Sequence, residues 1–453
     1  MSNTQNNSLI GAGSSRPWWL PDSTRTDLPD GFGEQVGQDE EYKGKGSQLP
    51  FQGLLAFTLI LLLAPQTLFP VLAPIRIAWI VMMVSVSSLV FTRFSAGRPI
   101  IEFSRGSIYL LLLVGWSILI IPLSYWPGGS ISFLTSTYLK TVVLFFLLAN
   151  VVNTLEKLTK IAWALVLIAI PLSMTTVFHF LSGVVREGER VVGYNAGLTN
   201  NPNDLALMLN LILPFCIALF LYNRGTWIKL LLAMVIGLMV TAIITTFSRA
   251  GFLALAFIFV IYIWRLRTRP ERNLIPTFLI LCIMALPFVP SSYYDRLSTI
   301  TDINADETNS AQIRLRDTIT AINYVVRHPL IGSGVGMNVL AMNESRGETW
   351  TQIHNIYLCY AVELGLPGLF LFLGFFWTCI RNSRETLKIS SRYHMKKLFL
   401  ISEAIMISLF VFAIEGIFHP SAYQFNFYYI AGLAVALKTV LDTELKKQER
   451  IST

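Results

Sequence analysis

The fold class is decided by the stretch "HNIYLCYAVELGLPGLFLFLGFFWTCI", residues 354–380, in which a His–Asn pair leads into a long apolar run. Glu363 is the one charged residue after that pair. A helix needs about 20 mostly apolar residues to cross a bilayer, so the stretch predicts a transmembrane span. Pro367 removes a backbone donor and is predicted to kink that span. The whole chain agrees, because 53% of its 453 residues are hydrophobic and 14% are charged, against about 25% charged in soluble domains.

Twelve such apolar segments predict an all-α polytopic membrane protein with about 12 transmembrane helices. The mean hydropathy of +0.57 fits this class. The predicted spans are residues 50–69, 73–92, 106–126, 136–152, 158–182, 203–221, 227–247, 250–265, 274–290, 355–380, 398–417 and 421–440.

The distribution of Lys and Arg predicts the orientation. If the N-terminus is cytoplasmic, 17 basic residues fall in the cytoplasmic loops and three, Arg186, Arg190 and Arg249, in the short outer loops. Positive charge accumulates in cytoplasmic loops. Both termini are therefore predicted to be cytoplasmic.

The predicted organisation has five parts. A polar, acid-rich segment at residues 1–49 is predicted to be a disordered cytoplasmic tail. Residues 50–290 hold spans one to nine, and residues 355–440 hold spans ten to twelve. Between them, residues 291–354 form one large periplasmic loop. Residues 441–453 are a second cytoplasmic tail.

The large loop carries an amphipathic pattern, "NSAQIRLRDTITAINYVVRHP", at residues 309–329. Its apolar spacing predicts a helix that starts near Asn309 or Ser310 and ends before Pro329. The "GSGVGMN" that follows, at residues 332–338, predicts a tight return of the chain. It is weak evidence for phosphate binding, because no strand and helix flank it.

Arginines on the predicted outer face are candidate ligand-binding residues. Arg249 lies between two apolar runs with no acidic residue nearby in the chain, and an arginine near hydrocarbon usually faces a partner or a wet cavity. Arg314 and Arg316 lie on the loop helix, and Arg186 and Arg190 lie in an earlier loop. Guanidinium groups match phosphate oxygens, so an anionic lipid-linked diphosphate is a fitting ligand. Snorkelling or an ion pair is the structural alternative.

His354 is the candidate proton acceptor, because a neutral imidazole can take a proton from a hydroxyl group. Asn355 follows it, and Glu363 lies nine residues further on in the same helix. A helix start without chemistry is an equally good interpretation of His354. Glu415 and His419 share a helix face, which favours a salt bridge over an acid–base couple. The sequence holds no pattern typical of a metal site, so a mechanism without metal or cofactor is expected.

Four motifs in order resemble the O-antigen ligase superfamily, which includes O-antigen polymerases and O-linked oligosaccharyltransferases. His354-Asn355, nine residues and then Gly365-x-x-Gly368 is similar to its H-N-x9-G-x-x-G pattern. The other three are "GLTNNPNDLALML", "TTFSRAGFLAL" and "RLRDTITAINYVVRHPLIGSGVGMN". The resemblance implies a GT-C-like membrane glycosyltransferase. Its donor would be a glycan on undecaprenyl diphosphate, its histidine falls on His354, and its arginines fall on Arg190, Arg249 and Arg314 or Arg316.

The resulting hypothesis is metal-independent, inverting glycan transfer at the periplasmic face. Its acceptor would be lipid A core, another glycan or a protein, with membrane lipids and no nucleic acid as other partners. Leu369-Phe370 stands where ligases often carry threonines, which weakens the ligase assignment against polymerase or protein glycosylation. Predicted substrate-binding residues, besides the catalytic His354, Arg249, Arg314 and Arg316, are Arg186, Arg190, Asn201, Asn203, Asp204, Asn355 and Glu363.

Two alternatives remain at this point. A transporter or flippase of lipid-linked glycans would also use buried arginines, but the two halves of the chain show no convincing repeat. A structural membrane subunit would leave the outer arginines unexplained. Helix capping is an equally fair interpretation of Asn201, Asn203 and Asp204.

Overall fold

The computed structural model describes residues 48–186, 190–191, 193–194, 199, 201–276, 310–347, 350–420 and 422–452. Almost all of the regular structure is helical. The helices, numbered in chain order, are α1 Leu49–Leu63, α2 Pro65–Leu68, α3 Ile77–Ser95, α4 Arg105–Leu119, α5 Pro127–Val151, α6 Leu155–Leu181, α7 Pro202–Tyr222, α8 Thr226–Thr245, α9 Arg249–Leu266, α10 Ser310–Arg327, α11 Asn338–Arg346, α12 Ile356–Arg392, α13 Lys396–Glu415 and α14 Phe425–Ser452. Two two-residue strands, β1 Val185–Arg186 and β2 Arg190–Val191, pair antiparallel.

The predicted all-α polytopic class is confirmed. Eight described helices are long and apolar enough to cross a membrane, and α1 and α4 are shorter apolar helices. The chain is a multi-pass membrane protein. Residues 1–47, 277–290 and 291–309, which hold most of the predicted tail, of span nine and of the first part of the loop, lie outside the described residues. The total of 12 spans stays a prediction.

Helices α7 and α13 form the centre of the bundle. In each of these two helices, 83% of an apolar stretch of 18 residues is buried inside the protein, against 11% in α3 at the periphery. They pack directly on each other, and the Ser408 hydroxyl donates to the carbonyl of Leu211 at 2.8 Å. The start of α7 and the end of α13 meet at one end of the bundle, where Asp204 lies 2.9 Å from His419. We call this the His354 end, because α12 begins there as well.

At the opposite end of the bundle, a buried ion pair joins α13 to the segment after α9. Arg269 donates to both carboxylate oxygens of Glu403, at 2.9 Å for Nη1. Both side chains are at most 5% exposed, and the Arg265 Nε lies 3.6 Å from the same carboxylate. Arg265 and Arg269 were both counted among the basic residues of the cytoplasmic loops. They also form a specific contact with α13.

Glu403→Gln is expected to lower the free energy of unfolding by about 3 kcal/mol, because removing one partner leaves a buried guanidinium charge uncompensated. Thermal or chemical unfolding in detergent micelles measures this. Glu385→Gln is the matched control, since its ion pair with Arg381 is about half exposed and exposed pairs contribute little. Equal losses in the two variants would contradict the role of the buried pair.

Candidate active site

The helix that follows His354 is broken at Gly365, where the chain after α10 returns and packs. Gly365 has φ 68° and ψ −177° inside α12, a conformation open almost only to glycine. The amide of Leu366, just past the break, donates to the carbonyl of Pro329 at 2.8 Å. The break was predicted at Pro367 but lies two residues earlier. Pro367 instead enters the second half of the helix at its first turn, where its missing N–H costs little.

Glu363 holds this return segment, residues 329–338, against α12. Its carboxylate accepts the backbone N–H of Gly336 at 2.8 Å and of Asn338 at 3.2 Å, together with the Asn338 side-chain amide. Glu363 is fully buried. Substrate binding by Glu363 stays a prediction, and the contacts observed here give it a supporting role. The turn predicted for "GSGVGMN" is present, with positive φ at Gly334 and Gly336.

Gly365→Ala is expected to destabilise the protein by about 2 kcal/mol or more, from backbone strain together with a clash. A Cβ at this position would lie 2.5 Å from the carbonyl oxygen of Leu330. Unfolding in detergent checks the loss. Gly237→Ala is the control, because a Cβ there meets nothing within 4 Å and alanine favours a helix interior. An unchanged stability of the Gly365 variant would show that the break is not required.

His354 lies just before α12, where the start of this helix meets the end of α13. The backbone N–H of Ile356 donates to the carbonyl of Gly416 after α13, at 2.8 Å, and the Tyr357 hydroxyl donates to Ala413 at 2.9 Å. Asn355 caps α12 by accepting the N–H of Leu358 at 3.0 Å. These contacts fix the position of His354 relative to the end of α13.

The half-buried imidazole of His354 is held neutral by its surroundings. Burial, then the positive charges of Arg314 and His419, lower its pKa to about 4, while Asp317 and a backbone hydrogen bond with Gln352 raise it. Its Nδ1 is buried and has no hydrogen-bond partner among the described residues. A buried acceptor without a donor costs about 1–3 kcal/mol. The ring therefore offers an unused lone pair at neutral pH.

Two further helix starts, those of α7 and α9, adjoin this point. They run parallel and touch closely, since a Cβ on Gly251 would lie 2.6 Å from the Cβ of Ala206. Arg249 is the first residue of α9, after a Ser248 cap, and Asn201 caps α7 by accepting the N–H of Asn203 at 2.9 Å. Helix N-termini carry partial positive charge. Together with Arg249 and Arg314, they make the His354 end favourable for an anion.

Carboxylates line the other side of the same end. Asp204, in the first turn of α7, has Oδ1 2.9 Å from Nε2 of His419. Asn210 donates to Glu415 at 2.7 Å and to the carbonyl of Gly251 at 2.9 Å. The favoured Glu415–His419 salt bridge is therefore not formed, because His419 pairs with Asp204 and Glu415 with Asn210. Sequence reasoning missed Asn210 and Asp317, which are buried polar residues inside otherwise ordinary helical patterns.

In a comparison of the sequence with models of known protein families, residues 234–373 match the O-antigen ligase family. The predicted resemblance to the O-antigen ligase superfamily is confirmed, and it indicates a membrane enzyme of glycan transfer. A search of curated proteins finds no match to the chain.

The O-antigen ligase segment contains six of the predicted site residues, Arg249, Arg314, Arg316, His354, Asn355 and Glu363. The structure brings Arg314 near His354 and leaves Arg316, two residues on, exposed on the loop helix. Asn201, Asn203 and Asp204 lie outside the segment but at the same end of the bundle. Arg186 and Arg190 pair through their backbones across the β1–β2 hairpin, and their side chains lie outside the described part of the chain.

Among the described residues, no three or more His, Cys, Asp or Glu side chains come together in a way that could hold a metal ion. Positive charge at the His354 end comes from guanidinium groups and helix termini, and these suit a phosphorylated ligand.

Proposed function

We propose that the protein transfers a glycan from undecaprenyl diphosphate to an acceptor hydroxyl at the periplasmic face of a bacterial inner membrane. The observation that carries the proposal is a half-buried His354 at one end of a membrane bundle, with a buried Nδ1 that makes no hydrogen bond among the described residues and with Arg314 close enough to help lower its pKa. The match to the O-antigen ligase family supports the same reaction class. A periplasmic His354 end and cytoplasmic termini follow from the charge distribution along the sequence.

The donor diphosphate binds to the cationic side of the site. Arg249 and Arg314 face it, and the N-terminus of α9 adds backbone dipoles. As the bond between the sugar C1 and the phosphate oxygen breaks, negative charge grows on the leaving diphosphate. Fixed positive charge in a water-poor site stabilises this charge in the transition state. The guanidinium groups thereby supply the stabilisation that metal ions give in other phosphate-leaving reactions.

His354 takes the proton of the attacking hydroxyl. The acceptor oxygen forms a bond to C1, the electron pair of the broken C1–O bond leaves with the diphosphate, and the hydroxyl proton passes to the imidazole of His354. In-line attack inverts the anomeric carbon. Since the diphosphate is a good leaving group, the general base supplies only a part of the rate enhancement.

The acceptor class separates three versions of this proposal. Lipid A core would make the protein a ligase, the end of another lipid-linked glycan a polymerase, and a protein hydroxyl group an oligosaccharyltransferase. Leu369 and Phe370, directly after the Gly365-x-x-Gly368 pattern, favour polymerase or protein glycosylation over ligase. Deletion in the source bacterium distinguishes them, since capped single units, missing surface attachment and lost protein glycans are different outcomes.

Reconstitution tests the reaction itself. Purified protein in vesicles, supplied with undecaprenyl-diphosphate glycan and candidate acceptors, should release undecaprenyl diphosphate and form a new glycoside. Movement of the intact donor across the vesicle membrane without its cleavage would instead indicate a flippase. If the donor is neither cleaved nor moved across the membrane, both functions are refuted.

A further inference from the structure

A second histidine, His419, lies beside His354 and is not used by the mechanism above. It follows the end of α13 and lies close enough to His354 for the two imidazoles to interact electrostatically. The amide of Ile356, two residues after His354, is bonded to Gly416, three residues before His419. The two imidazoles therefore belong to one site, although they come from different helices.

His419 is deeply buried, yet its ring lacks well-aligned hydrogen bonds. It is 3% exposed, and neither ring nitrogen makes an aligned hydrogen bond among the described residues, although Nε2 is 2.9 Å from Asp204. Oδ1 of Asn210 and Oε2 of Glu415 are likewise buried without such partners. Buried polar atoms left unpaired are destabilising. A cluster of them on neighbouring helices is understandable if a polar ligand completes it.

The charge of this cluster identifies the kind of ligand. Asp204 presents a carboxylate group whose side chain is 26% exposed, so the cluster opens on that side. Carboxylates repel phosphate groups and accept hydrogen bonds from hydroxyl groups. The site is thus divided into a cationic side at Arg249 and Arg314 and a hydrogen-bond-accepting side at His419. A neutral sugar fits the second side.

We propose that His419, held by Asp204, binds a hydroxyl group of the acceptor sugar, next to the hydroxyl whose proton passes to His354. The proposal rests on the proposed function and makes the acceptor a glycan rather than a protein side chain. Asp204 near Nε2 orients the ring. Nδ1 then accepts the hydrogen bond of the sugar hydroxyl.

Two substitutions test this because they keep different ends of the imidazole. In His419→Asn, the amide oxygen can take the place of Nδ1. In His419→Gln, the longer side chain reaches the place of Nε2 and leaves the Nδ1 position empty. We expect His419→Gln to raise the KM for the acceptor about tenfold or more, the effect of losing one such hydrogen bond, with the KM for the donor changed much less. His419→Asn should retain most of the acceptor affinity.

The probes are undecaprenyl-diphosphate glycan as donor, with lipid A core and a second lipid-linked glycan tried separately as acceptors. His394→Gln is the matched control, because His394 is exposed and lies between α12 and α13 at the opposite end of the bundle. Equal acceptor KM values for wild type and His419→Gln would overturn the proposal, and so would a rise in the donor KM of the same size.

Binding without turnover separates this proposal from the proposed function. The affinity of each acceptor for the detergent-solubilised protein is measured by thermophoresis in the absence of donor. Weaker acceptor binding by His419→Gln than by wild type supports the acceptor site even if no transfer is found, in which case the transfer chemistry alone fails. Unchanged binding overturns the acceptor site while leaving transfer open.

Discussion

His354→Ala is expected to reduce glycan transfer about 100-fold or more, with undecaprenyl-diphosphate glycan still bound. A positioned general base contributes about 10² to 10⁴ in rate, and the lower end applies because the diphosphate leaves readily. The unpaired Nδ1 of His354 is the group that is lost. Single-turnover formation of the new glycoside measures the effect apart from product release.

His328→Ala provides the control for His354→Ala. His328 directly follows the loop helix α10, is exposed, and lies tilted against Tyr324 with ring centroids 4.6 Å apart. Its loss should leave the rate within about threefold, as is usual for surface substitutions away from special features. Full activity of His354→Ala would remove this residue from the mechanism and return it to the role of a helix start.

Arg314→Ala is expected to lower kcat/KM by about 10² to 10³, the usual effect of removing one group that stabilises transition-state charge. Arg316→Ala is the matched control, because Arg316 lies on the same helix but is exposed. The sequence did not say which of the two contacts the donor, and the position of Arg314 near His354 makes it the better candidate. Similar losses in the two variants would contradict this assignment.

The pH profile gives Arg314→Ala a second signature. Burial and, after it, the Arg314 charge lower the pKa of His354 to about 4. Neutral imidazole is the active form, so kcat/KM falls as the pH drops through this pKa. Without Arg314 the pKa rises toward the ordinary value of about 6.5, and the acid limb of the profile should move to higher pH. Arg316→Ala should leave the limb in place.

The fold was largely predictable because a membrane span requires about 20 consecutive apolar residues, which can be recognised directly in the sequence. Of the eleven predicted spans within the described residues, eight lie on helices long and apolar enough to cross a membrane, the first and third lie on the shorter α1 and α4, and the twelfth lies on α14. Local detail was less predictable. Pro367 was expected to kink α12, but the break lies at Gly365, since the return segment leaves no room there for a Cβ.

His354 and Arg249 could be named as candidates where one residue type suggests the chemistry, and their roles stay predictions. The site was not predictable where the partner comes from a distant helix. His419 was expected to pair with Glu415, four residues earlier, but α13 ends at Glu415 and the helical spacing no longer applies beyond it. Its actual partner, Asp204, is more than 200 residues away in the chain. Glu363 likewise meets the return segment, which its own helix pattern cannot reveal.

The break in α12 also explains why the number of residues between His354 and Gly365 matters. The short helix Ile356–Leu364 is held at both ends, by Gly416 at its start and by Pro329 just beyond its end. Its length of about two and a half turns therefore sets the rotation of one fixed end relative to the other. Each residue turns a helix by about 100° and lengthens it by about 1.5 Å, so deleting one residue would turn the imidazole to a different face while changing its height only slightly. The direction in which His354 points is thus encoded in chain length as much as in the identity of the residue.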